Sequence, residues 1–270
     1  MNDAAILTFM HELADEAGAV ARRYFRTHSA HELKADDSPV TIADREIEAH
    51  LRQMIMAQFA DHGILGEEES AHQPGARMTW VIDPIDGTRA FMAGIATFTT
   101  LIALCDGGVP VYGLIDQPIL KERWIGNSLP IRGRAGVGAS TEDGTNNAPL
   151  LTSSLIVEKK IKWTLATTST AYFSAKEQAA FSALQGKAAS TLLGGDAYLY
   201  AMLASGHLDV VVDAGLKPYD FAALVPVVRA HGGIITDWQG APLTLASSGQ
   251  VLATRTAQLH HEALDILKSC

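Results

Sequence analysis

Residues 80–94 read WVIDPIDGTRAFMAG, a run that places two carboxylates directly after an apolar stretch. Trp80-Val81-Ile82 predicts a short buried strand. Pro84 removes a backbone donor and fixes φ, so we expect the chain to turn immediately after Asp83 and to bring Asp86 back to the same side. Hard oxygen ligands around such a turn suit Mg²⁺ together with a phosphate. The alternative is that both carboxylates only cap a turn.

The residues that follow the two aspartates add features of an anion site. Gly87 lets a ligand approach the backbone closely, and Thr88 supplies a hydroxyl where a helix could begin. Exposed N–H groups at such a point favour an anion. Arg89 comes next, and we interpret it either as a phosphate or lid contact or as part of an ordinary surface ion pair.

Two other segments carry acids near predicted element ends. Residues 66–69 read GEEE after the apolar pair Ile64-Leu65, and taken alone this cluster is typical of a solvated loop. Residues 217–224 read KPYDFAAL, where Asp220 opens an apolar helical pattern. Taken alone, Asp220 would be a helix N-cap.

Together, the motifs GEE, WVIDPIDGT and a late YD before a helix resemble the inositol-monophosphatase superfamily of Mg²⁺-dependent, lithium-sensitive phosphatases. The resemblance extends from Lys34–Asp44 to Gly232-Gly233. It implies an α/β (α+β) fold, a layered α-β-α-β-α sandwich of the inositol-monophosphatase and fructose-bisphosphatase type. It also implies two or three Mg²⁺ ions. Their implied ligands are Glu67, Asp83, Asp86, Asp220 and the carbonyl of Ile85.

The same resemblance implies how a phosphate ester would be hydrolysed. Thr88, paired with Asp44, would orient and deprotonate the attacking water. Glu67 would lie alongside as a ligand and an alternative base, with Glu68 behind it as a supporting residue. Backbone N–H groups of Gly87 and Thr88 would hold the phosphate.

A finer resemblance is to the histidinol-phosphatase branch of this superfamily. Inositol monophosphatases usually carry Trp where this chain has Tyr219, and Thr-Asn where it has Arg89-Ala90. The segments that match the branch are 86–91 (DGTRAF), 114–118 (LIDQP), 123–126 (RWIG), 166–169 (ATTS) and 213–220 (DAGLKPYD). The implied substrate is L-histidinol phosphate, in histidine biosynthesis. The alternatives are an inositol monophosphate, a 3′,5′-bisphosphate nucleotide and a catalytically silent metal-binding relative.

The resemblance also places a substrate-contacting acid at Asp213, which follows the apolar run 208–212. We expect Asp213 to pair with the ammonium group of histidinol phosphate, and the alternative is a solvated strand end. For Asp196, capping of the helix that begins at Ala197 is the alternative role. The other residues that the resemblance assigns to the pocket are Thr168, Ser169, Gly195 and Asp196.

Composition limits the classes of partner. Across 270 residues, 21 Lys and Arg against 30 Asp and Glu give a net charge of −9, which argues against a nucleic-acid polymer. The beginning of the chain lacks a basic region and a long apolar core, and no apolar run is long enough to cross a bilayer. With only Cys105 and Cys270 present, we expect a cytoplasmic enzyme that binds a small phosphate ester. A homodimer is implied by the resemblance alone.

Apolar spacing predicts two halves. In residues 1–140 we expect two amphipathic helices, the second capped by Thr41, and then a strand meander over 99–126. The predicted apolar stripe of the second helix is Ile42, Ile47, Leu51, Met54, Ile55 and Phe59. The glycine-rich stretch 132–152 is the predicted boundary. In residues 150–270, strand and helix patterns alternate, and Pro226 should kink or delay the last predicted helix, 221–231.

Overall fold

The computed structural model describes residues 3–27, 31–33, 39–128, 140–141 and 163–269. The helices are α1 Asp3–Tyr24, α2 Ile42–Gln58, α3 Thr88–Met92, α4 Ala175–Gln185, α5 Asp196–Ala204, α6 Pro218–Phe221, α7 Leu224–Ala230 and α8 Ala257–Lys268. The strands are β1 His31–Leu33, β2 Pro39–Thr41, β3 Gly63–Gly66, β4 Met78–Asp86, β5 Thr99–Asp106, β6 Val109–Gln117, β7 Glu122–Asn127, β8 Ser140–Thr141, β9 Thr164–Thr167, β10 Ser190–Leu193, β11 Val210–Asp213, β12 Ile234–Thr236 and β13 Val251–Thr254.

Two larger sheets are built from consecutive parts of the chain. The first has the order β3-β4-β5-β6-β7-β8, antiparallel except between β3 and β4. The second has the order β10-β9-β11-β13-β12, in which β9 is parallel to both of its neighbours. The predicted meander is therefore confirmed, and so is the strand and helix alternation that follows it.

Alternation along the strands produces the layers, because successive side chains point to opposite faces of a sheet. Trp80 and Ile82 pack with α1 and α2, whereas Val81 packs with α5 and α7. The second sheet likewise turns Val211 toward α5 and α7, and Val210 toward α4 and α8. The order is therefore α1/α2, first sheet, α5/α7, second sheet, α4/α8, which confirms the predicted sandwich.

Helix α2 follows its prediction closely at its beginning. The Thr41 hydroxyl accepts from the Ala43 and Asp44 N–H groups, and the Asp44 carboxylate accepts from the Thr41 N–H, which forms a capping box. The apolar stripe needs a correction at its first member, because Ile42 is 49% exposed. Ile42 is the first helical residue and lies outside the buried face of the helix.

The predictions about two prolines have different outcomes. Strand β4 does not end at Asp83: it continues through Pro84 to Asp86, with a register shift between Asp83 and Asp86. A bulge of this kind accommodates the missing donor without ending the strand. The helix predicted over 221–231 begins only at Leu224, as α7, so the delay predicted from Pro226 is confirmed; Phe221 belongs to the separate short helix α6. Pro226 lies in the first turn of α7, where its missing N–H costs little.

Helix α7 lies unusually close to the first sheet. A Cβ added to Gly113 on β6 would be 2.2 Å from the Ala223 carbonyl oxygen, and one on Gly126 on β7 would be 2.2 Å from the Pro226 carbonyl oxygen. Only glycine permits this approach. The chain segment that directly follows Asp220 is therefore pressed against the sheet that carries Asp83 and Asp86.

The proposed boundary at 132–152 and the segment Lys34–Ser38 lie outside the described residues, apart from 140–141, so the division into halves stays a prediction. Among the helices that the structure describes, none combines the length and the apolar character needed to span a bilayer. His260 on α8 is 8% exposed, and its Nε2 lies 2.9 Å from the Thr236 hydroxyl oxygen. Burial lowers the pKa of His260.

Candidate metal and phosphate site

Asp83, Asp86 and Asp220 meet where the first sheet faces the second half. Each offers one carboxylate oxygen, and these three oxygens lie within 4.8 Å of one another. Asp83 and Asp86 come from the end of β4, where the bulge lets two residues three apart face the same side. Asp220 comes from α6, which packs against β4. Three of the predicted ligands are therefore brought together.

The charges of these carboxylates repel one another. Burial, followed by the charges of Glu67, Asp86 and Asp220, holds the pKa of Asp83 well above its usual value. Burial also raises the pKa of Asp86, and it raises that of Asp220 to about 7, with Glu67 adding to the latter. Asp83 Oδ1 is buried and has no hydrogen-bond partner among the described residues. A divalent cation would satisfy this oxygen and offset the repulsion, so the residues fit Mg²⁺.

Asp44 extends the acidic group from α2. Burial raises its pKa to about 6, against the opposing hydrogen bonds from Thr41, and the charge of Glu67 raises it further. Its Oδ2 accepts from the N–H and the hydroxyl of Thr41. Its Oδ1 is buried and has no partner within the part of the chain that the structure describes. One oxygen of Asp44 is therefore fixed by the helix cap, and the other is open.

The predicted hydrogen bond between Thr88 and Asp44 is not formed in this structure, and their catalytic pairing stays a prediction. The Thr88 hydroxyl donates to the Ile85 carbonyl at 3.1 Å, and Asp44 is bound by Thr41 instead. The local contact forms because the Ile85 carbonyl is only three residues before Thr88 across the turn. The cap occupies only Oδ2 of Asp44, and Oδ1 stays open. The Ile85 carbonyl keeps a second lone pair, so its predicted role as a metal ligand is compatible with this bond.

The turn at Gly87 contacts the second half directly. Gly87 has a φ of 83° and precedes α3, and a Cβ there would lie 2.7 Å from Asp196 Oδ2. The Ala197 N–H donates to Asp86 Oδ2 at 2.7 Å, so the beginning of α5 binds a predicted metal ligand. Gly87 is therefore required both by its backbone conformation and by the carboxylate beside it.

Asp196 is not the helix cap that the sequence suggested as its alternative role. Gly195, with a φ of 117°, is the N-cap, and Asp196 is the first residue of α5 with a φ of 46°. This left-handed conformation is costly for a residue with a side chain. Asp196 is half-buried; burial raises its pKa, and the charge of Arg89 opposes that rise. The structure thus adds a carboxylate at the edge of the metal cluster.

Asp213 is neither a solvated strand end nor an open carboxylate. It is 2% exposed and accepts hydrogen bonds of 2.8 Å from the Thr167 hydroxyl, the Thr168 N–H and the Tyr200 hydroxyl. Burial raises its pKa to about 6, although these bonds oppose the shift. Its geometry provides structural support beneath the predicted pocket. Direct pairing of Asp213 with a substrate ammonium would require these bonds to rearrange.

The remaining pocket residues lie on the loop that follows β9. Thr168 and Ser169 are half-buried, and the Ser169 hydroxyl accepts from the Ala171 N–H at 3.1 Å. On the same loop, the Tyr172 hydroxyl accepts from Arg89 Nη1 at 2.6 Å. Arg89 and Tyr172 are both exposed, so this bond links the two halves at the rim of the site.

Sequence reasoning missed a buried Glu48–Arg52 pair on α2. Arg52 Nε donates to Glu48 Oε1 at 2.8 Å, and the Glu68 and Glu69 N–H groups also donate to Glu48. The signal was present, because these two charged residues fall among the buried positions of the helix beside Leu51. Glu68, predicted as a supporting residue, contacts this pair through its backbone N–H, which donates to Glu48.

The fold and its acidic cluster define the class of Mg²⁺-dependent phosphomonoesterases. A sequence model of the inositol monophosphatase family matches residues 2–269, and the chain belongs to that family. This confirms the superfamily assignment made from the motifs. Within the family, some relatives are named histidinol-phosphatases and others inositol monophosphatases.

Three relatives illustrate this. The chain is 42% identical over 265 residues to the bifunctional phosphatase IMPL2, chloroplastic, of Arabidopsis thaliana, covering 95% of this chain and 73% of that one. It is 34% identical to a histidinol-phosphatase of Chlorobaculum parvum, covering 90% and 89%. A solved inositol monophosphatase from Zymomonas mobilis is 43% identical, with a TM-score of 0.79 and coverage of 96% and 95%.

Proposed function

We propose that this enzyme hydrolyses L-histidinol phosphate to L-histidinol and inorganic phosphate. The observation that carries the proposal is the half-buried carboxylate of Asp196 beside Gly87 and the metal cluster. In histidinol phosphate the ammonium group is close to the ester oxygen, so a carboxylate next to the phosphate site would recognise it. The Chlorobaculum parvum relative is named a histidinol-phosphatase, which supports the same substrate.

Glu67, Asp83, Asp86, Asp220 and the Ile85 carbonyl would hold two or three Mg²⁺ ions. When bound, Mg²⁺ supplies positive charge for the phosphate oxygens and Lewis-acid activation of water. The chain itself would hold the phosphate through the N–H groups of Gly87 and Thr88 at the beginning of α3.

Water would attack the phosphorus directly. One proton of the water would be taken by a carboxylate of the site. The ester P–O bond would then break, and the same carboxylate would return that proton to the leaving oxygen. The open Oδ1 of Asp44 is the acceptor that the geometry offers, with Glu67 as the alternative base. Thr88 would orient the water after its hydroxyl turns away from the Ile85 carbonyl, a bond that isolates it from Asp44 in the present arrangement.

Asp196, rather than Asp213, is our proposed contact for the substrate ammonium. Asp213 has both oxygens engaged by buried donors, whereas Asp196 is half-buried at the edge of the cluster. Arg89 is the positive charge that acts on Asp196, and the substrate ammonium would compete with it. The exposed ring of Tyr172 on the same rim is available to contact the imidazole.

The test compares kcat/KM for histidinol phosphate, inositol 1-phosphate and adenosine 3′,5′-bisphosphate, each with Mg²⁺ and with a chelator. We expect kcat/KM to be highest for histidinol phosphate, and its hydrolysis to stop when the chelator is present. Equal slow rates on all three would contradict the substrate while keeping the chemistry. No Mg²⁺-dependent phosphate release from any ester would favour a catalytically silent relative.

A paired substitution tests the recognition residue. Asp196→Asn should lower kcat/KM for histidinol phosphate by roughly 10- to 100-fold, the value of one charge-assisted contact, and change that for p-nitrophenyl phosphate much less. Asp213→Asn is the matched control, and it should affect both substrates alike. A selective loss in the Asp213 variant, with none in the Asp196 variant, would return the role to Asp213.

Inositol monophosphate is the second candidate, because the Zymomonas mobilis relative is titled an inositol monophosphatase. By resemblance to the family we also propose inhibition by lithium, a place in histidine biosynthesis, a cytoplasmic location and a homodimer. Light scattering of the purified chain tests the last of these. A monomer at micromolar concentration would contradict it.

A further inference from the structure

We propose that Glu48 is a positioning residue that fixes the loop carrying Glu67 and thereby sets the affinity of the site for Mg²⁺. The inference rests on the proposed metal site. Glu48 is fully buried on α2, one helical turn after Asp44. Residues four apart lie on the same face of a helix, so α2 presents Asp44 to the acidic cluster and Glu48 to the neighbouring loop.

The carboxylate of Glu48 is bound to the loop backbone rather than to another side chain of the loop. Its Oε2 accepts from the Glu68 N–H at 2.8 Å, and its Oε1 accepts from the Glu69 N–H at 3.1 Å. Arg52 completes the arrangement, because it donates to Glu48 Oε1 at 2.8 Å and to the Glu69 carbonyl at 3.0 Å. The backbone immediately after Glu67 is therefore held through two N–H groups and one carbonyl.

Gly66 shows how closely the loop approaches this carboxylate. A Cβ added there would lie 2.0 Å from Glu48 Oε1 and 2.4 Å from its carboxyl carbon. Glu67 therefore sits between a glycine pressed against Glu48 and two N–H groups that donate to Glu48. The loop has little freedom to move Glu67 away from Asp83 and Asp44 without breaking these contacts.

Stability alone does not account for this buried ion pair. Removing two charges from water costs several kcal/mol each, and well-packed apolar residues of similar volume often stabilise a protein as well or better. What an apolar pair could not do is bind two successive N–H groups in fixed directions. The geometry therefore assigns Glu48 to placing a ligand, in the way that outer-shell partners orient metal ligands in other proteins.

The test measures Mg²⁺ binding by calorimetry and by the Mg²⁺-dependent rise in melting temperature, so it does not depend on turnover. Glu48→Gln should raise the Kd for Mg²⁺ by roughly 10- to 100-fold. Asp116→Asn is the matched control, because Asp116 is also buried and paired with an arginine, Arg123, at 2.6 Å. That control should lower the melting temperature without changing the Kd.

A double variant distinguishes an effect on the position of the Glu67 loop from an effect on the stability of the protein. Glu48→Gln with Arg52→Met removes both buried charges, so folding should be restored relative to Glu48→Gln while the Kd for Mg²⁺ stays raised. An unchanged Kd in a folded Glu48 variant would overturn the inference and leave Glu48 a purely structural residue. Absence of Mg²⁺ binding by the wild-type protein would instead overturn the metal site itself.

Discussion

Replacing Asp220 by Asn should make the metal-free enzyme more stable and the enzyme inactive. Asp220 Oδ2 accepts from the Lys217 N–H at 2.6 Å, and the Asn amide oxygen can keep that bond. What the substitution removes is a negative charge within 4.8 Å of the carboxylate oxygens of Asp83 and Asp86. The variant therefore separates the electrostatic cost of the Asp220 carboxylate in metal-free enzyme from the loss of a metal ligand.

The magnitude follows from the pKa of Asp220, which burial raises from 3.8 to about 7. The folded state then binds a proton that the unfolded state releases, so this group lowers the free energy of unfolding as the pH rises from about 4 to about 7. At about 1.4 kcal/mol per pH unit the full cost is about 4 kcal/mol above pH 7. Because Asp220 is only half-buried, solvent screens part of it, and we expect a gain of roughly 1–4 kcal/mol.

The assay is thermal unfolding followed by circular dichroism in chelator. At about pH 8 we expect the melting temperature of Asp220→Asn to exceed that of the wild type by several degrees, since about 1 kcal/mol corresponds to about 2 °C at this length. The difference in melting temperature should be smaller at about pH 5. Millimolar Mg²⁺ should make the wild type the more stable of the two, because it stabilises only the wild type. A lower melting temperature for Asp220→Asn in chelator at about pH 8 would refute the reasoning.

Three other substitutions test separate parts of the site. Thr88→Ala should lower kcat by about 10²- to 10⁴-fold while Mg²⁺ still raises the melting temperature, and Thr88→Ser should keep most activity; equal kcat for the Ala and wild-type enzymes would contradict the role. Asp213→Ala should lower the free energy of unfolding by about 1–3 kcal/mol in urea, because its buried donors lose their acceptor; an unchanged midpoint would count against that network. Gly66→Ala should weaken Mg²⁺ binding by displacing Glu48, whereas Gly186→Ala, with 3.6 Å of space, should not; equal affinities would show that the loop tolerates the methyl group.

Much of the fold was predictable because its signals are local. Alternation of apolar residues fixes the faces of β4 to β6, and Thr41 with Asp44 forms the cap that the sequence indicates. The pair Asp83 and Asp86 was also predictable, since three residues across one turn bring both to one side. The local structure differs from the prediction, however. A bulge within β4, and not a turn immediately after Asp83, brings the two carboxylates to the same side.

The roles of Asp213, Asp196 and Glu48 depended on contacts between distant segments. Asp213 is buried because the Tyr200 hydroxyl comes down from α5, and Asp196 reaches Gly87 because α5 begins against the end of β4. No spacing rule predicts these meetings. The sequence indicated Asp213 and Asp196 as candidates for the site but not Glu48, and tertiary packing decided which of these acids are open and which are enclosed.

The approach of α7 to β6 and β7 has a consequence for how such an enzyme could diversify. Gly113 and Gly126 contact the carbonyls of Ala223 and Pro226 through the main chain. No side chain takes part in these contacts, so substituting neighbouring side chains does not alter them. Substitutions of core side chains therefore leave the distance between Asp220 and the ligands on β4 unchanged. Residues at the rim of the site, such as Arg89 and Tyr172, are not restrained in this way. Their replacement during evolution would change the substrate while the arrangement of the metal ligands stays constant.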